Sequence, residues 1–190
     1  MFVVVRNFLV AVVAGFFATA FARADETAAW QFLRGDGAVA LMRHADAPGV
    51  GDPPGWRLDD CATQRNLSER GRADARAVGE RLRARRVNVA RVIASPWCRC
   101  LETARLLGSG EPQVDAAFGN AQLLVAERDR LVRDGRARLA PWRGPGALVV
   151  VTHGSNILAL TGTHPASGEI VVVRPRDDGS LQVLGRTGAP

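Results

Sequence analysis

The sequence predicts one three-layer α/β/α sandwich with a mostly parallel central sheet, and two observations carry that expectation. Strand-length apolar runs, Ala38–Leu41, Val89–Ala94 and Ala147–Val151, are separated by stretches of helical periodicity. That β-α-β-α order favours parallel strands joined by right-handed crossovers. Each run also ends at a segment rich in chemistry: Met42-Arg43-His44, Ser95-Pro96-Trp97-Cys98-Arg99 and Thr152-His153-Gly154. Loops at the carboxyl edge of a parallel sheet converge into a crevice, so two histidines and two arginines emerging there are expected to share one site.

Taken in order, residues Phe2 to Phe21 carry one charge, Arg6, and Ala22-Arg23-Ala24 precedes Asp25. A basic residue, a short apolar stretch and an A-x-A site read as a cleavable secretory signal over residues 1–24, with an uncleaved anchor as the alternative. A periplasmic or secreted domain over residues 25–190 is expected. Glu26–Leu33 predicts a short helix docked through Trp30 and Leu33, and Gly35-Asp36-Gly37 turns the chain into the first strand. Residues 45–64 form a Pro-, Gly- and Asp-rich loop, long enough to predict a lid or binding loop over the pocket. Ser68 is placed as the N-cap of a helix reaching about Arg86, with Ala73, Ala77, Val78 and Leu82 as its apolar stripe. A helix from Cys98 to Leu107 follows the second strand, and Ala121, Leu124, Val125, Leu131 and Val132 predict another amphipathic helix. After His153 come a short helix ending near Gly162 and two strands, Glu169–Arg174 and Leu181–Gly185, turned by Asp177–Ser180 as an edge hairpin.

The formal charge is +6, and removal of residues 1–24 deletes Arg6 and Arg23 and no acid, leaving +4. Every basic residue is arginine. The run Arg81–Arg86 reads as the solvated C-terminal end of a helix, where positive charge suits the macrodipole, so nucleic-acid binding is not expected. Nor is membrane insertion once the signal is removed. Three cysteines are too few for a dense disulfide framework or a four-cysteine zinc site.

A strand-end histidine taken singly is more often structural than catalytic. Both histidines together with Arg43 and Arg99 form a set that suits a phosphoryl group. Neutral imidazole attacks phosphorus, and guanidinium forks match phosphoryl oxygens and stabilise transition-state charge, so neither metal nor cofactor is called for. Arginines nearby keep His44 unprotonated. Arg65, bordering the pocket, is a substrate-binding candidate, whereas His164 in its Gly-Thr-His-Pro turn is expected to be an exposed loop residue.

These residues resemble the histidine phosphatases, the phosphoglycerate mutase-like superfamily, and in particular its small exported bacterial branch. The likeness runs from about Ala38 to Val173. It rests on Arg43-His44, on Asn66–Ala75 (similar to an L-[ST]-x-x-G-x-x-Q-A helix start), on the S-P-x-x-R-x-x-x-T-A pattern of Ser95–Ala104, and on His153-Gly154. Ala45 replaces the usual Gly after the doublet, and Asp74 the usual Gln. The resemblance implies that His44 is phosphorylated in turnover, that Arg43 and Arg99 hold the phosphate, and that His153 donates to a non-bridging oxygen. A small phosphorylated molecule is the implied substrate. The general acid has no clear motif: Glu169 is the named candidate, with Asp115, Asp46 and Asp52 also in reach. Without such an acid, substrates with good leaving groups, such as phosphohistidine or acyl phosphates, would be favoured. In the family's pattern the position of Cys100 is small and buried, which leaves Cys61 and Cys98 as a disulfide candidate, with free thiols as the rival. The expected activity is hydrolysis of a phosphomonoester through phosphohistidine. The alternatives are a phosphoglycerate mutase-type phosphotransferase and a non-catalytic phosphoryl-ligand binder.

Overall fold

The structure is a computed structural model that describes residues 25–190; the expected signal segment lies outside the described residues. Residues 25–33 form helix α1, with Trp30 and Leu33 buried. Six strands make one sheet: β1 (Val39–Arg43), β2 (Val89–Ala94), β3 (Gln113–Val114), β4 (Ala147–Thr152), β5 (Ile170–Pro175) and β6 (Leu181–Arg186). Their order is β3-β2-β4-β1-β5-β6. The first four run parallel, β5 pairs antiparallel with β1, and β6 pairs antiparallel with β5. The mostly parallel sandwich is thus present.

Both faces of the central strands are covered, which is why they read as unbroken apolar runs rather than alternating ones. Ala40, Met42, Val149 and Val151 pack with Leu33 of α1, with Val78 and Leu82 of α2 (Glu69–Ala84), and with Cys100 and Ala104 of α3 (Cys98–Leu106). Val39, Leu41, Leu148 and Val150 point the other way, onto Leu139 of α4 (Arg128–Leu139) and Ile157 of α5 (Gly154–Thr161).

Ser68 caps α2 as expected, its Oγ accepting from the Gly71 amide at 2.9 Å. The stripe differs from expectation: Gly71, Ala75, Val78, Gly79 and Leu82 are buried, and Ala73 is exposed. Gly71 belongs to it for a steric reason, since a Cβ there would lie 2.1 Å from the Asp46 carbonyl oxygen. The arginine run is not simply solvated. Arg81 donates to Glu26 at 2.9 Å and to the Thr187 carbonyl at 2.7 Å, and Arg85 lies 4.5 Å over the Trp30 ring. The helix expected from Ala121 begins only at Arg128. The Asn120 side chain accepts from the Gln122 amide and Asn156 accepts from Ala121, which holds residues 120–127 in turns and a 3-10 segment. Strand β3, two exposed residues, had no counterpart in the apolar pattern. Among the described residues, no helix is long and apolar enough to cross a membrane.

Candidate active site

Adjacent parallel strands bring the two histidines together. Arg43 of β1 is registered with Thr152 of β4, and the His44 amide donates to the Thr152 carbonyl at 2.9 Å, so residues 44 and 153 leave the sheet side by side. Their ring centroids are 5.5 Å apart at 72°. The His44 Nδ1 lies 2.8 Å from the Ala45 carbonyl; a carbonyl only accepts, so the proton sits on Nδ1 and Nε2 keeps its lone pair. Ala45 is itself fixed, its amide donating to Thr103 Oγ1 at 3.1 Å. The His153 Nε2 lies 2.9 Å from Ser95 Oγ and 3.6 Å from the buried Cys100 sulfur.

Electrostatics favour neutral rings. Burial, joined by Arg99, Arg65 and Arg43 and only partly opposed by the Ala45 hydrogen bond, lowers the His44 pKa to about 3. Burial, His44 and the same arginines push His153 well below its ordinary range. Burial pushes the Cys100 thiol up to about 12, so it stays protonated.

The arginines divide their work. Arg43 lines the cleft and anchors one Nη on the Pro165 carbonyl at 3.1 Å. Arg65 also lines it, while its Nε donates to Gly51 O at 2.8 Å and an Nη donates to Ala47 O. Arg99 is fully buried, and its terminal fork faces Asp52 rather than standing free for a ligand. Nη1 donates to Oδ1 at 2.7 Å and Nη2 to Oδ2 at 3.2 Å. The Asp52 carboxylate further accepts from the Arg65 amide at 2.9 Å and from Trp97 Nε1 at 3.1 Å. Burial alone would raise the Asp52 pKa, but these donors and the Arg99 charge hold it below the usual carboxylate range. Arg99 Nε is left as a buried donor without a partner among the described residues.

The loop over residues 45–64 is therefore an anchored cover and not a free lid. Cys61 and Cys98 form a disulfide with Cα atoms 5.7 Å apart. Gln64 accepts from the Cys98 amide at 3.0 Å, and Trp56 packs on Trp97 with centroids 5.3 Å apart.

The cleft is lined by Arg43, His44, Arg65, Asn120, Gln122, His153, Gly154, Ser155 and His164, with no carboxylate among them. Glu169, the named general-acid candidate, is turned away from the cleft. Its carboxylate pairs with Arg186 at 2.6 Å and accepts from the Ala166 amide at 2.7 Å, because β5 and β6 bring that arginine beside it. Asp115 is 2.9 Å from Arg138 and caps the turn after β3, and Asp46 accepts from Ser68 Oγ at 2.7 Å. Conversely, His164, expected as an ordinary loop residue, lies in the lining, and Asn120, Gln122 and Ser155 join it. The last three had no motif. The N-terminus of α5 opens here too, and its first amides favour an anion.

A family model, that of the histidine phosphatase superfamily (branch 1), matches residues 39–127. That match spans just under half of the chain, and over it the chain is similar to that superfamily. The matched segment carries Arg43, His44, Arg65 and Arg99; the fold adds His153 and His164 from beyond it. Among solved structures, the protein histidine phosphatase SixA complexed with tungstate is similar at 21% identity, over 80% of this chain and 96% of that one, with a TM-score of 0.53. The mycobacterial glucosyl-3-phosphoglycerate phosphatase is similar at 19% identity, over 78% and 95%, with a TM-score of 0.52. A phosphoserine phosphatase mutant from Entamoeba histolytica in complex with phosphoserine is similar at 15% identity, over 79% and 96%, also at 0.52. At these identities the likeness is one of fold. No curated protein matches the chain.

Proposed function

We propose that this chain is a phosphatase that hydrolyses a small phosphomonoester through a phosphohistidine on His44. The observation that carries the reading is the pair of neutral histidines 5.5 Å apart at the carboxyl ends of β1 and β4, with the Nε2 lone pair of His44 left free. That lone pair attacks phosphorus and displaces the leaving oxygen; water then attacks the phosphohistidine and returns the imidazole. Arg43 and Arg65 supply guanidinium charge at the cleft, and the unpartnered Nε–H of Arg99 is one further donor for a phosphoryl oxygen. With the Ser95 hydroxyl donating to Nε2, the His153 ring proton sits on Nδ1, and the ring serves as a neutral donor to a non-bridging oxygen. Three arginines around two histidines repel a divalent cation, so the charge of the transition state is met by guanidinium groups. We place the mature protein outside the cytoplasm, from the sequence of residues 1–24, and its substrate among small phosphoesters met there.

The test incubates purified protein with a panel of phosphate esters in EDTA and traps phosphate on the chain. Acid-labile, base-stable label is expected on His44, and His44→Ala is expected to abolish both label and turnover. Substantial turnover by a folded His44→Ala protein would sink the mechanism.

A further inference from the structure

Hydrolysis of an alkyl phosphate expels an alkoxide unless a proton reaches the leaving oxygen, and such general-acid help is worth about 10² to 10⁴ in rate. The usual supplier would be a carboxylic acid, yet the carboxylates near the cleft are committed elsewhere. Asp52 takes four donors, Glu169 is paired with Arg186, and Asp46 receives Ser68. His44 is the nucleophile, and His153 is engaged by Ser95. One proton-exchanging group remains in the lining.

Resting on the phosphatase reading above, we propose that His164 is a catalytic residue: the proton donor to the leaving oxygen, and then the base that receives the proton of the attacking water. Its ring lies exposed at the mouth of the cleft, over the first residue of α5, and its nitrogens take no hydrogen-bond partner among the described residues. A Cβ on Gly154 would stand 3.1 Å from His164 Nε2 and 3.3 Å from Arg43 Cδ, so the imidazole sits close over this glycine with the arginine beside it, and a larger residue would push them by a few tenths of an ångström. The charged and titratable groups that share the cleft lining with His164 are Arg43, His44, Arg65 and His153. In the first step the P–N bond to His44 Nε2 forms, the P–O bond to the leaving group breaks, and the His164 proton leaves with the alcohol. In the second step water attacks phosphorus, its proton returns to His164, and the P–N bond breaks to release inorganic phosphate. Exposure suits this task, since the leaving group must face outward to depart.

The experiment compares His164→Gln with wild type across a leaving-group series, from nitrophenyl phosphate through phenyl phosphate to glycerol phosphate, with folding checked by circular dichroism. The expected result is a loss in kcat/KM about 100-fold larger for glycerol phosphate than for nitrophenyl phosphate, which needs little protonation. An equal loss on all three would make His164 a binding or structural residue and overturn the proposal, as would no loss on glycerol phosphate. Neither turnover nor label on His44 in the wild type would instead overturn the phosphatase reading itself. Labelled His44 with a leaving-group-independent effect of His164→Gln would overturn only the role of His164.

Discussion

Asp52→Asn isolates the interaction that ties the loop over residues 45–64 to Arg99. The carboxylate receives two bonds at each oxygen: Arg99 Nη1 and the Arg65 amide at Oδ1, Arg99 Nη2 and Trp97 Nε1 at Oδ2. An amide keeps one acceptor oxygen. Whichever way it turns, its NH₂ opposes two donors, and the fully buried guanidinium loses its counter-charge. Removing one partner of a buried ion pair costs about 3 to 5 kcal/mol, and with a urea m-value of about 2 kcal/mol/M the midpoint should fall by about 2 M. Asp52→Asn with Arg99→Met completes a double-mutant cycle: the second substitution removes the stranded charge, so the pair should cost well under the sum of the two singles. Acid unfolding gives the sign independently. The carboxylate is held below its ordinary range, so its contribution is present above the unfolded value of about 3.9 and is lost as pH falls through the folded one. Equilibrium urea unfolding of the four proteins, followed by tryptophan fluorescence, decides the matter. A loss below about 1 kcal/mol for Asp52→Asn, or strict additivity in the cycle, would refute the pairing and with it the anchored loop.

Three further outcomes are expected. Reducing the Cys61–Cys98 bond, which closes a 37-residue separation, should cost about 3 to 4 kcal/mol on a chain-entropy account; an unchanged urea midpoint after verified reduction would contradict that. Gly71→Ala should destabilise by about 2 kcal/mol or more although alanine is the better helix former, because its Cβ would stand 2.1 Å from Asp46 O; a more stable variant would disprove the close approach. With unfolded values near 6.5, the lowered pKa of His44 and His153 means their neutral burial contributes above about pH 6.5 and is lost as pH falls towards the folded value of about 3 for His44. His44→Gln should flatten that acid slope, by up to about 1.4 kcal/mol per pH unit, and an unchanged slope would argue against a buried neutral ring.

What the sequence disclosed and what it withheld divide along physical lines. Val39–Arg43 and Ala147–Thr152 were legible because burial on both faces leaves unbroken apolar runs, and Ser68 because a cap is a local interaction. His44 and His153 followed from two strand ends read jointly with Arg43 and Arg99. The use of the Arg99 fork was not legible, since Asp52 lies 47 residues away in a loop with no periodicity and one aspartate there looks like another. The pairing of Glu169 was hidden for the same reason: its partner Arg186 reaches it only through the β5–β6 pairing. His164 is the exposed loop residue its turn implies, and nothing local in the sequence tells that the chain seats it over Gly154. The helix expected from Ala121 failed because Ala121 is buried through a turn fixed by Asn156, a burial that mimics the first apolar position of a helix.

The strand order has a consequence for when this molecule can begin to work. β1 and β2 never touch each other; β4, made more than 50 residues after β2, is the seam that joins them. A chain emerging from synthesis thus carries Arg43, His44, Arg65 and Arg99 early, in and after two apolar strands whose inner edges stay unzipped until residues 147–152 slide between them. Until that insertion, those edges are templates for pairing with other chains, and contacts of such long sequence separation form late. The same insertion delivers His153. Competence thereby coincides with closure of the sheet, so no partly synthesised or half-assembled chain presents both histidines to a phosphoester.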